Sequence, residues 1–192
     1  RSETAPSFST ADRVLRKQFF SVLVFFKDYK QDKNGNVNIT YNVEILRPDK
    51  TQYFKQENIR GINSLVQSDR LVMMCADYMR VCFEPDHMPG EYTVTVTAKD
   101  NADNTISTQK AAITLYEFTS TPYFSNGEDL EQWMNSYHRL PSPEKAIDAF
   151  FFCVRNNYVN QDSVAPFYAF FITVFESNPY LIPYLIQEYR LS

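Results

Sequence analysis

Hydrophobic and polar residues alternate along much of the chain between residues 19 and 118, with the period of two that is typical of β-strands. The stretch VNITYNVEI shows it most clearly, because apolar residues occupy every second position from Val37 to Ile45. The positions between them, from Asn38 to Glu44, are polar. This pattern predicts a strand with one buried face and one solvated face.

Six further stretches also predict strands: FFSVLVFFKDY from Phe19, TQYF, LVMMC, MRVCFEP, EYTVTVTAK and KAAITLYEF. Clusters of Pro, Gly, Asn and Asp separate them. The KNGN turn around Gly35 tolerates a positive φ, and we expect it to make the strands on its two sides neighbours. About seven short strands over roughly a hundred residues are the count expected of a Greek-key β-sandwich.

The segment PGEYTVTVTAKD, which begins at Pro89, resembles the penultimate strand of immunoglobulin-like modules in secreted bacterial proteins. In those modules a Pro-Gly corner leads into a tyrosine and an alternating Val/Thr strand. The resemblance implies that Tyr92 is a corner tyrosine whose hydroxyl bonds to nearby backbone, with Val94, Val96 and Ala98 facing inward beside it. Val94 stands where antibody-type domains carry a cysteine, so the resemblance is one of fold and transfers no catalytic residue.

The apolar period changes to 3.6 residues after Thr119, and it predicts a small all-α domain of about four helices over residues 119–192. The predicted helix starts are a capping box of Ser125 and Glu128, Ser142 with Pro143, Ser163, and Asn178 with Pro179. The third helix is apolar nearly all round, which predicts a central position. Pro183 is expected to kink or delay the fourth helix. The predicted organisation is therefore an arm (1–18), an immunoglobulin-like β-sandwich (19–118) and the helical domain.

Charge and composition exclude several classes of protein. The net charge of -4 argues against a nucleic-acid partner, and 4 glycines against 10 prolines argue against a glycine-rich phosphate loop. No apolar run approaches the roughly 18 residues that a membrane span needs. The sequence begins at Arg1 with a Ser/Thr/Pro-rich arm, as expected after removal of a signal peptide, so we predict an exported protein, periplasmic or extracellular.

The sequence carries no reaction motif, and we predict no catalytic, cofactor or metal-binding residues. His87 and His138 have no partner at a motif spacing, and the pattern of nucleophile, base and oxyanion donor is missing. The loop of residues 100–104 has two interpretations. Its side-chain oxygens suit Ca²⁺, but Asp and Asn are also the usual residues of a hairpin turn.

The three cysteines leave one unpaired in any intramolecular scheme, which excludes a disulfide framework. Cys75 and Cys82 either form a bridge across a turn or are two ordinary small residues. Phe152 also leaves two alternatives. It lies off the apolar stripe of its predicted helix, either as an exposed side chain or as a contact with a partner.

These observations favour a non-catalytic exported protein that binds another macromolecule, a second protein, in a scaffold or adhesion role. One alternative is an enzyme, or an enzyme accessory module, with an unrecognised site at the domain junction. A third is a chaperone-like or inhibitory partner that offers a sheet edge or its aromatic helices. Both faces of FFSVLVFF are apolar, so we expect the C-terminal helices to pack against this strand, with a dimer interface as the rival cover.

Overall fold

The computed structural model describes residues 10–67, 72–161 and 163–191. Within them the chain divides into two compact units between Glu117 and Phe118, one residue before the predicted junction. The first, called here the β unit, consists of sheets. The second, the helical unit, consists of helices. The mixed, two-part fold class is therefore present.

The β unit contains one large sheet and two short ribbons. Its strands are β1 (Arg13–Val14), β2 (Phe19–Val22), β3 (Phe25–Phe26), β4 (Asn36–Leu46), β5 (Gln52–Leu65), β6 (Met73–Met74), β7 (Met79–Cys82), β8 (Gly90–Asp100) and β9 (Ile106–Leu115). The large sheet has the order β1-β9-β8-β4-β5, and the ribbons are β2-β7 and β3-β6. Neighbouring strands are antiparallel except β1, which runs parallel to β9.

The core of the β unit lies between the ribbons and one face of the large sheet. The odd residues of β4 from Val37 to Ile45 are all buried, as their alternation predicts. Phe83 follows the ribbon strand β7 and packs on Tyr92 of the sheet, with ring centroids 4.4 Å apart. Val96 and Ala98 pack against the same core, so the predicted inward row of β8 is confirmed.

Two of the sequence predictions for the β unit are wrong. β2 pairs with β7 and not with its predicted neighbour β4. The residues that follow β2 also pair with the segment before β7, since the N–H of Cys75 donates to the carbonyl of Val24. The segment of residues 1–18 is also not wholly an arm. Val14 and Leu15 are buried, and β1 is part of the sheet because it pairs with the end of β9.

The corner before β8 has the predicted hydrogen bond. The hydroxyl of Tyr92 donates to the carbonyl of Met88 at 2.8 Å, which confirms the expected tie to nearby backbone. Gly90 has a φ of +132°, and a Cβ there would lie 2.8 Å from Cγ of Pro48. Glycine is required at this corner for both its backbone conformation and the lack of a side chain.

In the described part of the chain, the helical unit has four α-helices: α1 (Gly127–Ser136), α2 (Ala146–Arg155), α3 (Val164–Ser177) and α4 (Ile182–Leu191). Short 3₁₀ turns, Pro143–Lys145 and Pro179–Leu181, precede α2 and α4. Pro183 thus falls in the first turn of a delayed helix, where its missing N–H has no intrahelical acceptor. None of the described helices is long and apolar enough to cross a membrane.

Three details of the predicted helices differ in the structure. Asn126, and not Ser125, caps α1, since its side chain accepts the N–H of Asp129. The helical spacing of Ile147, Phe150, Phe151, Val154 and Tyr158 predicts one buried stripe on α2, but Val154 is 50% exposed. α3 buries one face only, because Tyr168 and Ile172 on another face are 53% and 52% exposed.

Candidate functional site

Among the described residues, the large sheet has an open edge along the first seven residues of β9. β9 pairs with β8 from Ile106 to Leu115, whereas on its other side β1 reaches it at Thr114 and Leu115. In the described part of the chain, residues 106–112 thus have a strand partner on one side, and every one of them is exposed. Exposed strand edges are places where further strands pair.

The direction of the backbone groups at this edge follows from the bonds to β1. The amide of Thr114 donates to the carbonyl of Asp12 at 2.9 Å, so the even-numbered residues of β9 direct their N–H and C=O groups outward from the sheet. Backbone direction alternates along a strand, and Thr108 and Lys110 therefore present their main-chain groups at the open edge.

The opposite edge of the sheet, β5, is irregular. Within the described residues, the register between β4 and β5 shifts at three points. At one of them Ile39 pairs with Ile62 and Thr40 with Arg60, which leaves Gly61 as the extra residue of a bulge. Bulges twist an edge strand away from further pairing. The two edges of the sheet thus differ, and the regular one is β9.

A groove of about 620 Å³ lies on the core side of β9, between the sheet and residues 23–28. The inward rows of β8 and β9 contribute six uncharged residues to it: Val94, Val96, Ala98, Ser107, Gln109 and Ala111. The groove exists because a ribbon that packs on the large sheet is narrower than the sheet. The four long strands span about 14 Å between outer axes, whereas a two-stranded ribbon spans about 5 Å. The ribbons bury β4 and leave residues 107–111 exposed.

The open edge and the groove form one surface, which we call the docking surface: residues 106–112 of β9 together with the groove. The side chains of the adjacent residues Ala111 and Ala112 lie on opposite faces of the sheet. Ala111 pairs with Val94 of the inward row and lines the groove, whereas Ala112 pairs with Thr93 on the outer face. The charged residues of the described lining are Lys27, Asp28 and Lys110, and the side chains of Lys27 and Asp28 are 77% and 84% exposed.

Phe152, the predicted candidate for a partner contact, lies in the helical unit and is half-buried. Its ring centroid is 6.2 Å from that of Phe124 and 5.9 Å from that of Tyr158. The side chain therefore has aromatic neighbours within its own unit. Its role in partner binding stays a prediction, and a change at this position also alters these two contacts.

The two histidines have local partners. Nδ1 of His87 accepts the amide N–H of Glu84 at 2.7 Å, and its ring lies edge-on to Tyr53 with centroids 4.9 Å apart. Nε2 of His138 accepts Nε–H of Arg139 at 3.1 Å. His87 thus closes a turn, and neither bond aligns a nucleophile with a base.

The three cysteines are free thiols, so Cys75 and Cys82 do not form the bridge that the sequence left open. The sulfur of Cys75 accepts the N–H of Val24 at 3.4 Å. Burial raises the pKa of the Cys153 thiol to about 11. It also raises the pKa of Cys82. The Cys82 and Cys153 thiols are therefore poor nucleophiles at neutral pH.

The loop of residues 100–104 is a hairpin turn between β8 and β9. Carboxylate oxygens of Asp100 and Asp103 accept the amide N–H groups of Ala102 and Thr105, at 2.9 and 2.8 Å. The side-chain and backbone hydrogen bonds from Thr105 lower the pKa of Asp103. Among the described residues no group of three or more His, Cys, Asp and Glu side chains is arranged to hold a metal ion. The turn interpretation explains these residues.

Sequence reasoning did not find the docking surface. The strand KAAITLYEF was predicted, but the structure begins β9 earlier, at Ile106. The available signal is the polar character of ISTQ, which leaves this stretch without a row of large apolar side chains. Such a row is expected where a strand is covered on one face.

Comparisons with known proteins leave the chain without an assigned family. No protein-family model matches it, and no curated protein does. Among solved structures it is similar to a family 123 glycoside hydrolase from Clostridium perfringens, described in a study of glycolipid glycan hydrolysis. The identity is 6% and the TM-score 0.34 over 59% of this chain, which spans 24% of that hydrolase. A likeness at this level assigns neither a fold nor an activity.

Proposed function

We propose that this chain is a non-catalytic exported protein, periplasmic or extracellular, that binds a second protein in a scaffold or adhesion role. We also propose that the β unit is an immunoglobulin-like sandwich. The Tyr92 bond to Met88 supports that assignment, as do the ribbons that face the large sheet. The function is proposed for the docking surface of the β unit.

The observation that carries this proposal is the groove beside β9, whose inward rows from β8 and β9 are uncharged. Val96 and Ala98 line it and are only half-buried, so apolar side chains of the core row are in contact with water there. Apolar surface that is withdrawn from water stabilises a complex by about 25 cal/mol per Å². Exposed apolar patches with a polar margin are typical of protein-binding sites.

The lining of the groove suits binding better than catalysis. An enzyme site brings together polar groups with matched ionisation. Among the described residues of the groove there is neither histidine nor cysteine, and its polar inward side chains are Ser107 and Gln109. A hydroxyl and an amide position a ligand by hydrogen bonds, but they do not supply a base. The carboxylate of the described lining, Asp28, is 84% exposed and lies beside Lys27.

Photo-cross-linking on the full chain tests the proposal. Ala111 is replaced by the photoreactive residue benzoylphenylalanine, and the control carries it at Thr95, on the outer face of the neighbouring strand β8 and outside the docking surface. After irradiation with an extract of the native source, we expect a protein adduct from position 111 and none from position 95. Equal adducts from both positions, or none from either, contradict the proposal. Export is tested separately by cell fractionation, where a cytosolic location refutes it.

A further inference from the structure

We infer that the docking surface binds an extended segment of the partner protein, which adds to the sheet as a strand beside residues 106–112 of β9. This inference rests on the proposed function and specifies the conformation and side chains of the partner segment. The partner segment is uncharged, with apolar side chains at alternate positions that close the open side of the groove.

The backbone of β9 supplies the hydrogen bonds for such a strand. β1 already forms a parallel ladder with β9 at Thr114 and Leu115, and the edge continues that ladder in the same plane. Thr108 and Lys110 direct their N–H and C=O groups to this side, so the added strand finds donors and acceptors at regular spacing. Strand addition of this kind obtains affinity from main-chain bonds and specificity from alternate side chains.

The side-chain chemistry of the partner segment follows from the groove. A strand paired with β9 places every second side chain on the same face as Gln109 and Ala111, next to the wall formed by residues 23–26. The inward rows carry no charge, and on the wall Lys27 lies beside Asp28, so a charged side chain placed next to Gln109 or Ala111 loses water without gaining a free partner. Along residues 106–112 the contact is about 23 Å long at roughly 3.3 Å per residue.

A second copy of this chain fits the surface less well. Two β9 edges that pair with each other bring Ser107, Gln109 and Ala111 against the groove, and these are small or polar side chains. They leave its apolar wall without apolar contacts. Each copy also places Lys110 at the shared edge, and like charges across a strand pair are destabilising.

Peptide binding to the full chain, followed by fluorescence anisotropy, tests the inference. The probes are three labelled synthetic peptides of about seven residues, in which Val alternates with Thr, Leu with Ser, and Phe with Thr. Each has a control of the same composition with its apolar residues in one block. We expect at least one alternating peptide to bind about tenfold more tightly than its block control.

Two matched pairs of variants locate the binding. Ala111→Glu places a charge in the groove and should weaken binding about tenfold, whereas Thr95→Glu, on the outer face of β8 and outside the docking surface, should leave it within about twofold. Lys110→Pro removes an edge-facing N–H and should weaken binding about tenfold, whereas Lys110→Ala should keep it. If Lys110→Pro does not fold, two N-methylated peptides take its place, one methylated at the odd-numbered residues and one at the even-numbered residues. The peptide whose methyl groups block the amides that face β9 should not bind.

Three results overturn the inference: no alternating peptide binds more tightly than its block control, Ala111→Glu and Thr95→Glu act equally, or removal of edge-facing main-chain donors has no effect. A dimer in light scattering that Ala111→Glu dissociates assigns the surface to a second copy and also overturns it. Cross-linking from position 111 that persists when peptide binding fails refutes strand addition alone. Loss of both refutes the proposed function as well.

Discussion

At the scale of single residues, two buried polar side chains attach irregular segments to regular elements. Tyr92 is fully buried, and its hydroxyl donates to the carbonyl of Met88 in the corner before β8. In the helical unit, Oδ2 of Asp148 accepts the amide N–H groups of Tyr123 and Phe124, at 2.6 and 3.3 Å. Buried hydrogen-bonding groups are costly to leave unpaired, so both side chains should control local stability.

Tyr92→Phe should lower the free energy of unfolding by about 1–2 kcal/mol, because it leaves the carbonyl of Met88 without its hydroxyl donor. Urea denaturation with an unchanged m-value measures the effect. Tyr78→Phe is the control, since Tyr78 is 56% exposed and its hydroxyl can bond to water. Equal stability of both variants means that the corner bond does not stabilise the fold.

Asp148→Ala should destabilise the helical unit by about 2–4 kcal/mol, because two backbone amides lose their acceptor. Asp148→Asn keeps one oxygen acceptor and should recover part of the loss. Helical circular dichroism during urea unfolding is the measurement. Glu176→Ala, at an exposed position of α3, should have little effect, and a loss as large as that of Asp148→Ala contradicts the assignment.

At the scale of elements, the contrast between β5 and β9 explains why one edge of the sheet is protected. The bulge at Gly61 brings its backbone close to the core, since a Cβ there would lie 2.8 Å from Cζ of Phe26 and 3.0 Å from the carbonyl oxygen of Ile39. β9 has no such irregularity from Ile106 to Leu115 in its pairing with β8. The carbonyls of Gly61 and Arg60 at the bulge already accept the amides of Ala76 and Asp77, at 2.6 and 3.2 Å, whereas the regular edge permits further pairing.

Gly61→Ala should therefore destabilise the β unit by about 1–3 kcal/mol through overpacking. Thermal unfolding followed by far-ultraviolet circular dichroism measures it. The double variant with Phe26→Leu frees space at the ring and should show a favourable coupling energy in a double-mutant cycle. Additive losses mean that the Phe26 ring is not the obstacle.

At the scale of the whole molecule, the expectation that the C-terminal helices cover the first strand stays a prediction. The outward side chains Phe19 and Phe25 are 55% and 50% exposed. The guanidinium of Arg80 lies 4.0 Å from the ring centroid of Phe19 and gives it a partner within the β unit. Cooperation between the two units is measurable because each contains a buried thiol.

Pulsed alkylation of the full chain in urea should modify Cys75 and Cys153 along coincident curves if the two units unfold together. Both thiols are buried, so each reacts when its own unit opens. Peptide mapping by mass spectrometry distinguishes the two sites. Separate midpoints contradict the prediction of one cooperative unit.

Deletion of residues 122–192 gives a second test of the same prediction. A β unit that depends on the helices should aggregate once they are removed, because apolar surface of its first strand is left uncovered. Light scattering and thermal unfolding of the fragment are the measurements. A monomeric fragment with the melting temperature of the full chain contradicts the proposed dependence.

The sequence by itself determined the local features: the period-two strands and 3.6-period helices, the Tyr92 bond, and the delay that Pro183 imposes on α4. These follow from side-chain direction and backbone constraints over a few residues. Only the tertiary structure decided that β2 pairs with β7, that Phe152 lies against Phe124, and that β9 has, within the described ranges, an open edge beside a groove. Strand pairing depends on the path of distant segments, and the groove arises because narrow ribbons cover a wide sheet. The sequence of a strand does not specify which distant segment pairs with it or covers it.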